Sequence, residues 1–268
     1  MNKKVKKVAS MEKKLGFALG AGGARGVAHA GFLKAMEENG IKPDYIVGCS
    51  MGSIVGAAYA SGMPIERLQK AINSLRLFDL VSIGKKGGLF DTKKMRQLLC
   101  YYIGDISFAD LKIPFHCVSV DMISQSLVEF SEGSVLDAII ASSSIPSVFR
   151  PTEKNGMRLI DGAILERVPA AQVKAMGSDV VVAVDVLGQR TCKSEMPGLI
   201  GIMTETIDIM DNAQTRRRRK ENEAIIDFWL EPELGDMSQY SFTSLSFAFE
   251  KGYELGIANA EAIKKALE

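Results

Sequence analysis

Short apolar runs alternate with helical segments along most of this chain, and that alternation limits the folds open to it. The strand candidates are LGFAL (15–19), DYIVG (44–48), FHCVSVDM (115–122), SLVEFS (126–131), MRLIDGAI (157–164) and DVVVAVDV (179–186). Near-continuous Val and Ile strands that alternate with helices are typical of a mostly parallel sheet with helices on both faces. The sequence therefore predicts an α/β fold.

The organisation of the chain favours one domain. Residues 1–14 are basic and are expected to be flexible, and the α/β alternation runs over 15–190. Over 191–268 the pattern is mainly helical, with helices expected at about 198–222 and about 243–267. Because no internal repeat or low-complexity linker separates the two regions, we expect 191–268 to pack on the same domain as a C-terminal helical region.

Charge and cysteine content narrow the classes of function. The 268 residues carry a formal net charge of +1, so no global field favours nucleic acid as a partner. The four cysteines form no CxxC pair and have no metal-ligand spacing, which favours reduced thiols and no metal. The N-terminal segment lacks an apolar core, and no run approaches the roughly 18 apolar residues of a spanning helix. We therefore expect a cytoplasmic protein.

Two groups of basic residues raise the question of membrane contact. Six lysines lie within residues 1–14, and Arg216–Arg219 are followed by Lys220 in a predicted helix. Such groups are most often solvated surface, but a basic residue close to an anionic membrane contributes about 1 kcal/mol of attraction. Peripheral contact with a membrane is the alternative interpretation of both groups.

Gly48-Cys49-Ser50-Met51-Gly52 is a GxSxG motif between a predicted strand and a predicted helix. In that context the motif indicates a sharp turn that presents the serine hydroxyl at the top of a sheet. Glycine two residues on either side removes the Cβ atoms that would collide in so tight a turn. The competing interpretation is that Gly48 and Gly52 only allow close packing of helix on strand.

A glycine-rich segment, GAGGARG (20–26), follows the first strand and opens the first helix. One interpretation is a dinucleotide-binding loop of the GxGxxG kind. Counted from Gly20, that pattern puts Arg25 at the third glycine, and counted back from Gly26 it puts Ala21 at the first. The acidic residue expected at the end of the second strand is also missing, because that strand runs into the GxSxG motif.

The other interpretation of the glycine-rich segment is an oxyanion hole. Glycine turns at a helix N-terminus expose backbone N–H groups where negative charge is stabilised. Amides near Gly22 and Gly23 would then face the charge that develops on an ester carbonyl oxygen. A second strand that ends in a nucleophile motif favours this interpretation.

Asp161 ends the MRLI strand and is followed by Gly162, which allows a neighbour to approach closely. The chain has only two histidines, His29 and His116, and neither follows Asp161. A hydrolase triad in the order Ser, acid, His therefore cannot be built after this aspartate. If Ser50 is the nucleophile, its base must be a group other than the histidine of such a triad.

In this order and spacing, GAGGARG, GCSMG and DGA resemble the three signature motifs of the patatin-like phospholipases. The segments AHAGFLKAMEENGIKPDYIVGCSMGSIVGAAYASG and ASSSIPSVFRP are also similar to bacterial members. The resemblance covers about residues 15–190 well and the C-terminal helices more loosely. It implies a three-layer α/β/α fold whose mostly parallel sheet carries a Ser–Asp dyad instead of a triad.

Carried over by position, the resemblance implies a role for each motif residue. Ser50 is the nucleophile and Asp161 the base, Gly22 and Gly23 supply oxyanion amides, and Arg25 orients their loop or supports its charge. One departure is Ala21, which stands where many members have glycine. The two glycines that follow it remain, so we expect the loop to tolerate the methyl group.

The resemblance implies a hydrolase of lipid acyl esters that needs no cofactor. Met- and Phe-containing segments at 198–210 and 242–249 are candidates for an acyl groove, with ordinary helix core as the alternative. We expect neither His29 nor His116 to act in catalysis. Two other functions stay open, namely a catalytically quiet protein of the same fold that binds lipid or protein, and a nucleotide-binding oxidoreductase.

Overall fold

The computed structural model describes residues 13–74, 82–83, 90–188, 198–240 and 242–268. Three parts of the chain lie outside the described residues. They are residues 1–12 of the basic N-terminal segment, Cys192 and the glycine- and lysine-rich segment 84–88, whose composition favours a loop.

The described strands are β1 (Leu15–Leu19), β2 (Tyr45–Cys49), β3 (Ser82–Ile83), β4 (Phe90–Asp91), β5 (Phe115–Asp121), β6 (Ser126–Phe130), β7 (Thr152–Lys154), β8 (Met157–Asp161), β9 (Val180–Val184) and β10 (Phe228–Leu230). The described helices are α1 (Ala28–Glu38), α2 (Met51–Ala60), α3 (Ile65–Ser74), α4 (Lys93–Ile103), α5 (Val135–Ser142), α6 (Ala170–Ala175), α7 (Leu199–Glu221) and α8 (Leu245–Leu267). The predicted bounds of α7 and α8 lie within two residues of those observed.

One mixed sheet organises the molecule. The sheet has eight strands. Five of them are parallel and are neighbours in the order β10, β9, β1, β2 and β5. Strands β6 and β8 both run antiparallel to β5, and β7 runs antiparallel to β8. The predicted parallel sheet is therefore confirmed for these five strands. The prediction is wrong for β8, the strand that ends in Asp161, because β8 runs antiparallel to both of its neighbours. Antiparallel strands can be joined by a tight hairpin and need no helical crossover.

Strands β2 and β8 lie end to end along the same edge of β5. Strand β2 pairs with the first half of β5, up to Val118, and β8 pairs with the last three residues, from Ser119. Strand β6 pairs with Cys117–Asp121, overlaps both, and therefore occupies the opposite edge. Because β2 and β8 run in opposite directions, their C-terminal ends meet. This arrangement brings the residue after β2 next to the last residue of β8.

Helices cover both faces of the sheet. On β1, Leu15, Phe17 and Leu19 point into a large apolar core built with α1, α2, α3, α5 and α8, and the Phe17 and Phe32 rings meet edge to face at 5.2 Å. The alternate residue Ala18 points to a smaller core on the opposite face, which includes residues of α6. Burial on both faces explains why the strands read as continuous apolar runs.

The C-terminal region packs on this same sheet. Strand β10 adds to the edge of β9, and α8 lies against α1. The two helices approach so closely that a Cβ atom on Gly252 would lie 1.8 Å from the Ala28 carbonyl oxygen. Within the described residues, no helix is long and apolar enough to cross a membrane.

Candidate active site

Ser50 occupies a strained turn between β2 and α2. Its φ of 52° and ψ of −122° lie in a region that non-glycine residues rarely adopt, and the residue is only 3% exposed. The flanking glycines are required sterically. A Cβ atom on Gly48 would lie 2.5 Å from the Cα of Ser53, and one on Gly52 would lie 2.2 Å from the Leu19 carbonyl oxygen. The GxSxG motif therefore forms the sharp strand-to-helix turn that the sequence predicts.

The glycine loop (20–26) follows β1 and enters a 3₁₀ turn, Gly23–Val27, that leads into α1. Gly23 has a φ of 51°, and a Cβ atom there would lie 2.3 Å from the Gln239 carbonyl oxygen, which accepts a hydrogen bond from Ala24. In the part of the chain that the structure describes, the N–H groups of Gly22 and Gly23 donate to no acceptor. Two backbone donors are thus available to a ligand beside Ser50.

Arg25 lies behind the loop and is not among the residues that line the cleft. Its side chain is 5% exposed, and its guanidinium donates to the carbonyl oxygens of Val186 at 2.8 Å, Gly235 at 2.9 Å and Met237 at 3.0 Å. These bonds tie the glycine loop to two other segments. They favour the orienting role expected for Arg25 over direct contact with a reacting group.

His29 holds the start of the same loop. Its Nε2 atom lies 2.7 Å from the Gly20 carbonyl oxygen, so Nε2–H is the donor, and Nδ1 has no partner among the described residues. Complete burial lowers the pKa of His29 to about 4. The ring is therefore neutral at pH 7 and positions the loop.

The Asp161 carboxylate faces Ser50 from the end of β8. It accepts a hydrogen bond from the Ala163 N–H at 2.9 Å, and the Cys49 thiol lies 3.8 Å away. Burial raises the pKa of Asp161 to about 6, while hydrogen bonds from Ser50 and Ala163 act in the opposite direction. A carboxylate with this pKa is a stronger base than an exposed aspartate and is still ionised at pH 7.

The end of α5 and the segment that follows it hold the main-chain N–H groups of both Ser50 and Asp161. The Ser142 hydroxyl accepts a hydrogen bond from the Ser50 N–H at 2.9 Å, and the Ser144 carbonyl oxygen accepts one from the Asp161 N–H at 3.0 Å. The resemblance of this segment, ASSSIPSVFRP, to bacterial members predicted no role for it. Its run of three serines before Ile-Pro was the available signal.

Ser50 and Asp161 line one cleft of about 510 Å³, a volume that includes its open mouth. The glycine loop forms part of the wall, and α7 contributes Ile207, Asp208 and Asp211. Four of the motif residues that the sequence selected line this cleft, namely Gly22, Gly23, Ser50 and Asp161. Arg25, Gly48 and Gly52 are not among its lining residues.

Asp211 links the cleft to a buried ionic network that the sequence did not predict. Arg167 is 4% exposed and pairs with Asp211 at 2.8 Å and with Asp185 at 2.7 Å. The Arg167 carbonyl oxygen also accepts a hydrogen bond from the Ala21 N–H. The negative charge of Asp211 contributes to the raised pKa of Asp161.

A second, apolar cavity of about 530 Å³, again including its mouth, lies between α2, α3 and α4. Met51, the residue after Ser50, lines it together with apolar residues of all three helices and Tyr102. The segments that the sequence offered as an acyl groove are placed differently. Of the described residues in 198–210, Ile207 and Asp208 line the cleft and Met210 is exposed, whereas Phe249 of the second segment belongs to the core.

The chain is similar in sequence to a known protein family and to several individual proteins. The family model described as patatin-like phospholipase matches residues 17–174. An uncharacterized NTE family protein of Mycobacterium tuberculosis is 35% identical over 184 residues, which cover 67% of this chain and 51% of that protein. Lysophospholipase NTE1 of Coccidioides immitis is 32% identical over 182 residues, which cover 65% of this chain and 12% of that protein. The match thus spans about half the length of the mycobacterial relative.

Two solved structures share the fold. VipD from Legionella pneumophila superposes with a TM-score of 0.62 at 13% identity, covering 94% of this chain and 67% of that chain. The type III effector protein ExoU of Pseudomonas aeruginosa gives a TM-score of 0.50 at 14% identity, covering 96% of this chain and 54% of that chain. The predicted three-layer α/β/α architecture is confirmed.

Proposed function

Because this chain belongs to the patatin-like phospholipase family, we propose that it hydrolyses lipid acyl esters through a Ser50–Asp161 dyad. One observation carries the proposal. Ser50 stands in a strained turn within one cleft with the buried Asp161 carboxylate and the two N–H donors of Gly22 and Gly23. These are the nucleophile, the base and the oxyanion donors that acyl transfer requires.

In the first step, the Ser50 oxygen forms a bond to the ester carbonyl carbon while Asp161 takes the hydroxyl proton. The carbonyl oxygen gains negative charge, which the N–H groups of Gly22 and Gly23 stabilise. The alcohol then leaves with the proton from Asp161, and the acyl group stays on Ser50. The pKa of about 6 for Asp161 suits both the uptake and the return of this proton.

In the second step, water replaces the alcohol. Asp161, again a carboxylate, takes a proton from water as the water oxygen attacks the acyl carbon. The carbon–oxygen bond to Ser50 breaks, the serine recovers its proton from Asp161, and the fatty acid is released. His29 takes no part, because its Nε2–H is committed to the Gly20 carbonyl oxygen.

Two observations support a lipid as the substrate. Relatives of the chain are named lysophospholipases, although the chain matches only a small part of each. The apolar cavity beside Met51 has the chemistry that a fatty acyl chain requires, since its lining exposes almost no polar surface. We propose that the acyl chain packs there and that the protein contacts lipid aggregates peripherally.

The dyad is tested by labelling and turnover together. A fluorophosphonate probe should label the wild-type protein. It should label Asp161→Asn weakly or not at all, and it should leave Ser50→Ala unlabelled. Esters of graded chain length should be hydrolysed by the wild type, with kcat/KM rising from acetyl to longer chains. Labelling that persists in Ser50→Ala would remove Ser50 as the nucleophile.

The same measurements separate the alternative functions. A protein that binds long-chain lipid but neither reacts with the probe nor hydrolyses any ester would be a catalytically quiet lipid-binding relative. Activity confined to acetyl esters would indicate a small-molecule esterase. Saturable binding of a nicotinamide dinucleotide at the glycine loop would support an oxidoreductase instead.

A further inference from the structure

Helix α7 (Leu199–Glu221) exposes apolar side chains on its outward face. The described residues include ten large apolar side chains that are exposed, and four of these belong to α7. They are Ile202 at 47% exposure, Met203 at 48%, Ile209 at 58% and Met210 at 67%. A surface helix normally presents its polar face to water.

The inward face of α7 is mostly polar, with Ile207 at the cleft as an apolar exception. It contacts the rest of the protein through ionic and amide groups, namely Asp208 with Gln239, Asp211 with Arg167, and Arg218 with Glu166. The helix is therefore held to the protein by its charged residues and turns its apolar residues to the surface. This is the reverse of the usual arrangement, and exposed apolar surface of this kind marks an interaction site.

The outward face has a regular order. Exposed pairs repeat every seven residues, which is roughly 10 Å along the axis. The first two pairs are Ile202–Met203 and Ile209–Met210, and the third is Arg216–Arg217, also exposed. Arg217 pairs with Glu221 at 2.7 Å, a contact between exposed groups that competing anions readily replace. An apolar stripe thus continues into a basic end.

This face adjoins the cleft. Ile207, Asp208 and Asp211 line the cleft, and Ile209 and Met210 lie between them in sequence on the outward side of the same two turns. Whatever covers the apolar pairs would therefore lie beside the cleft mouth. A lipid surface has the matching chemistry, since acyl chains accept the Ile and Met side chains and anionic headgroups accept the arginines.

We propose that the outward face of α7, formed by Ile202, Met203, Ile209, Met210, Arg216 and Arg217, docks on an anionic lipid surface and delivers the cleft to it. The proposal rests on the proposed lipid-hydrolase function. It identifies the part of the protein that meets the aggregate in which the substrate resides.

Vesicle co-sedimentation tests this surface, with the full chain carrying Ser50→Ala so that the lipid is not consumed. Vesicles contain phosphatidylcholine alone or with phosphatidylglycerol. In this background, Ile209→Glu with Met210→Glu should reduce binding about tenfold or more, because two carboxylates replace apolar contacts. Arg216→Gln with Arg217→Gln should remove the preference for the anionic vesicles. Circular dichroism confirms that each variant is folded.

Ile257→Glu is the matched control, because Ile257 is a 47% exposed isoleucine within the other 23-residue helix, α8. It should bind vesicles as the parent does. Equal binding by the Ile209–Met210 variant and the Ile257 variant would overturn the proposal. A dimer seen by sedimentation velocity that the Ile209–Met210 change dissociates, with vesicle binding unaltered, would also overturn it and make α7 a contact between two copies.

A separate measurement keeps the two proposals distinguishable. Hydrolysis of a monomeric, water-soluble ester by the protein with Ser50 present needs no lipid surface and reports on the dyad alone. If that activity is absent while vesicle binding still depends on the α7 pairs, the proposed hydrolase fails and the docking surface stands. If the ester is hydrolysed while vesicle binding is unchanged by substitution of the α7 pairs, the proposed docking surface fails and the proposed hydrolase stands.

Discussion

Cys49 and Asp161 end two strands that approach each other head-on, and they face successive residues of β5, Val118 and Ser119. Ser50, the next residue after Cys49, therefore meets the Asp161 carboxylate without any intervening loop. The main-chain N–H groups of Ser50 and Asp161 are anchored by hydrogen bonds to the end of α5 and to the segment after it. The separation between Ser50 and Asp161 is thus set by the sheet.

The first prediction concerns the two histidines. His29→Ala and His116→Ala should each keep kcat within about tenfold of wild type, which corresponds to about 1.4 kcal/mol of barrier. Asp161→Asn, which keeps the shape but removes the proton acceptor, should lose about a thousandfold or more. The reasons are structural, since His29 is buried and donates to Gly20, and His116 pairs with Glu129 on the sheet surface.

Turnover of one ester by the purified variants measures this difference, and circular dichroism confirms folding. His29→Gln is the companion to His29→Ala, because glutamine retains an N–H donor for the Gly20 carbonyl oxygen. A folded His29→Ala or His116→Ala that is as inactive as Asp161→Asn would restore a triad.

The second prediction is a pH dependence. In the proposed mechanism Asp161 must be ionised, so kcat/KM should fall as the pH drops through about 6, the pKa of Asp161. The negative charge of Asp211 raises that pKa, so Asp211→Asn should move the acidic limb to lower pH. Glu254→Gln, which removes an exposed carboxylate of α8, should leave the limb in place. An unmoved limb in Asp211→Asn would contradict this account of the pKa.

The third prediction compares Gly23, which lies in the glycine loop, with Gly40, which lies outside it. The comparison separates the effect of backbone strain from the effect of steric crowding. Gly23 and Gly40 both have positive φ, so alanine at either should cost about 1–2 kcal/mol in the free energy of unfolding. Only Gly23 is crowded, by the Gln239 carbonyl oxygen, whereas nothing lies within 4 Å of a Cβ on Gly40. Gly23→Ala should therefore also lower kcat about tenfold or more.

Urea unfolding and ester turnover, measured on both glycine variants, test that difference. Equal kcat in Gly23→Ala and Gly40→Ala would mean that the position of the loop amides does not limit the reaction.

The fourth prediction concerns Ser142, whose hydroxyl accepts a hydrogen bond from the Ser50 N–H. Ser142→Ala leaves that buried N–H without its acceptor and should cost about 1–3 kcal/mol of stability. It should also lower kcat several-fold, because the turn that holds Ser50 loses a contact. Ser144→Ala is the control, since that hydroxyl bonds to Ile140 and Thr152 and not to Ser50. A loss of kcat equal in the two variants would contradict the assigned role.

The antiparallel course of β8 was also foreshadowed in the sequence. Asn155-Gly156 stands between β7 and β8, both residues have positive φ, and Asn-Gly is the strongest short signal for a tight hairpin. The alternation of strands and helices predicted the MRLI strand as one more strand of a parallel sheet. Asp161 nevertheless lies beside Ser50, because β8 meets β2 end to end and its last residue is Asp161.

By itself, the sequence determined the α/β class, the family and the turn at Ser50, because these depend on local patterns. Strand runs and glycines two residues from a serine are readable within short segments, and each of the three motifs is recognised locally before their order along the chain is compared. Only the tertiary structure decided that Ser142 and Ser144 anchor Ser50 and Asp161, that Asp211 acts on the Asp161 pKa, and that α7 turns its apolar pairs outward. Those features arise from contacts between residues far apart in the chain, and from which face of a helix meets its neighbours, and a local pattern contains neither.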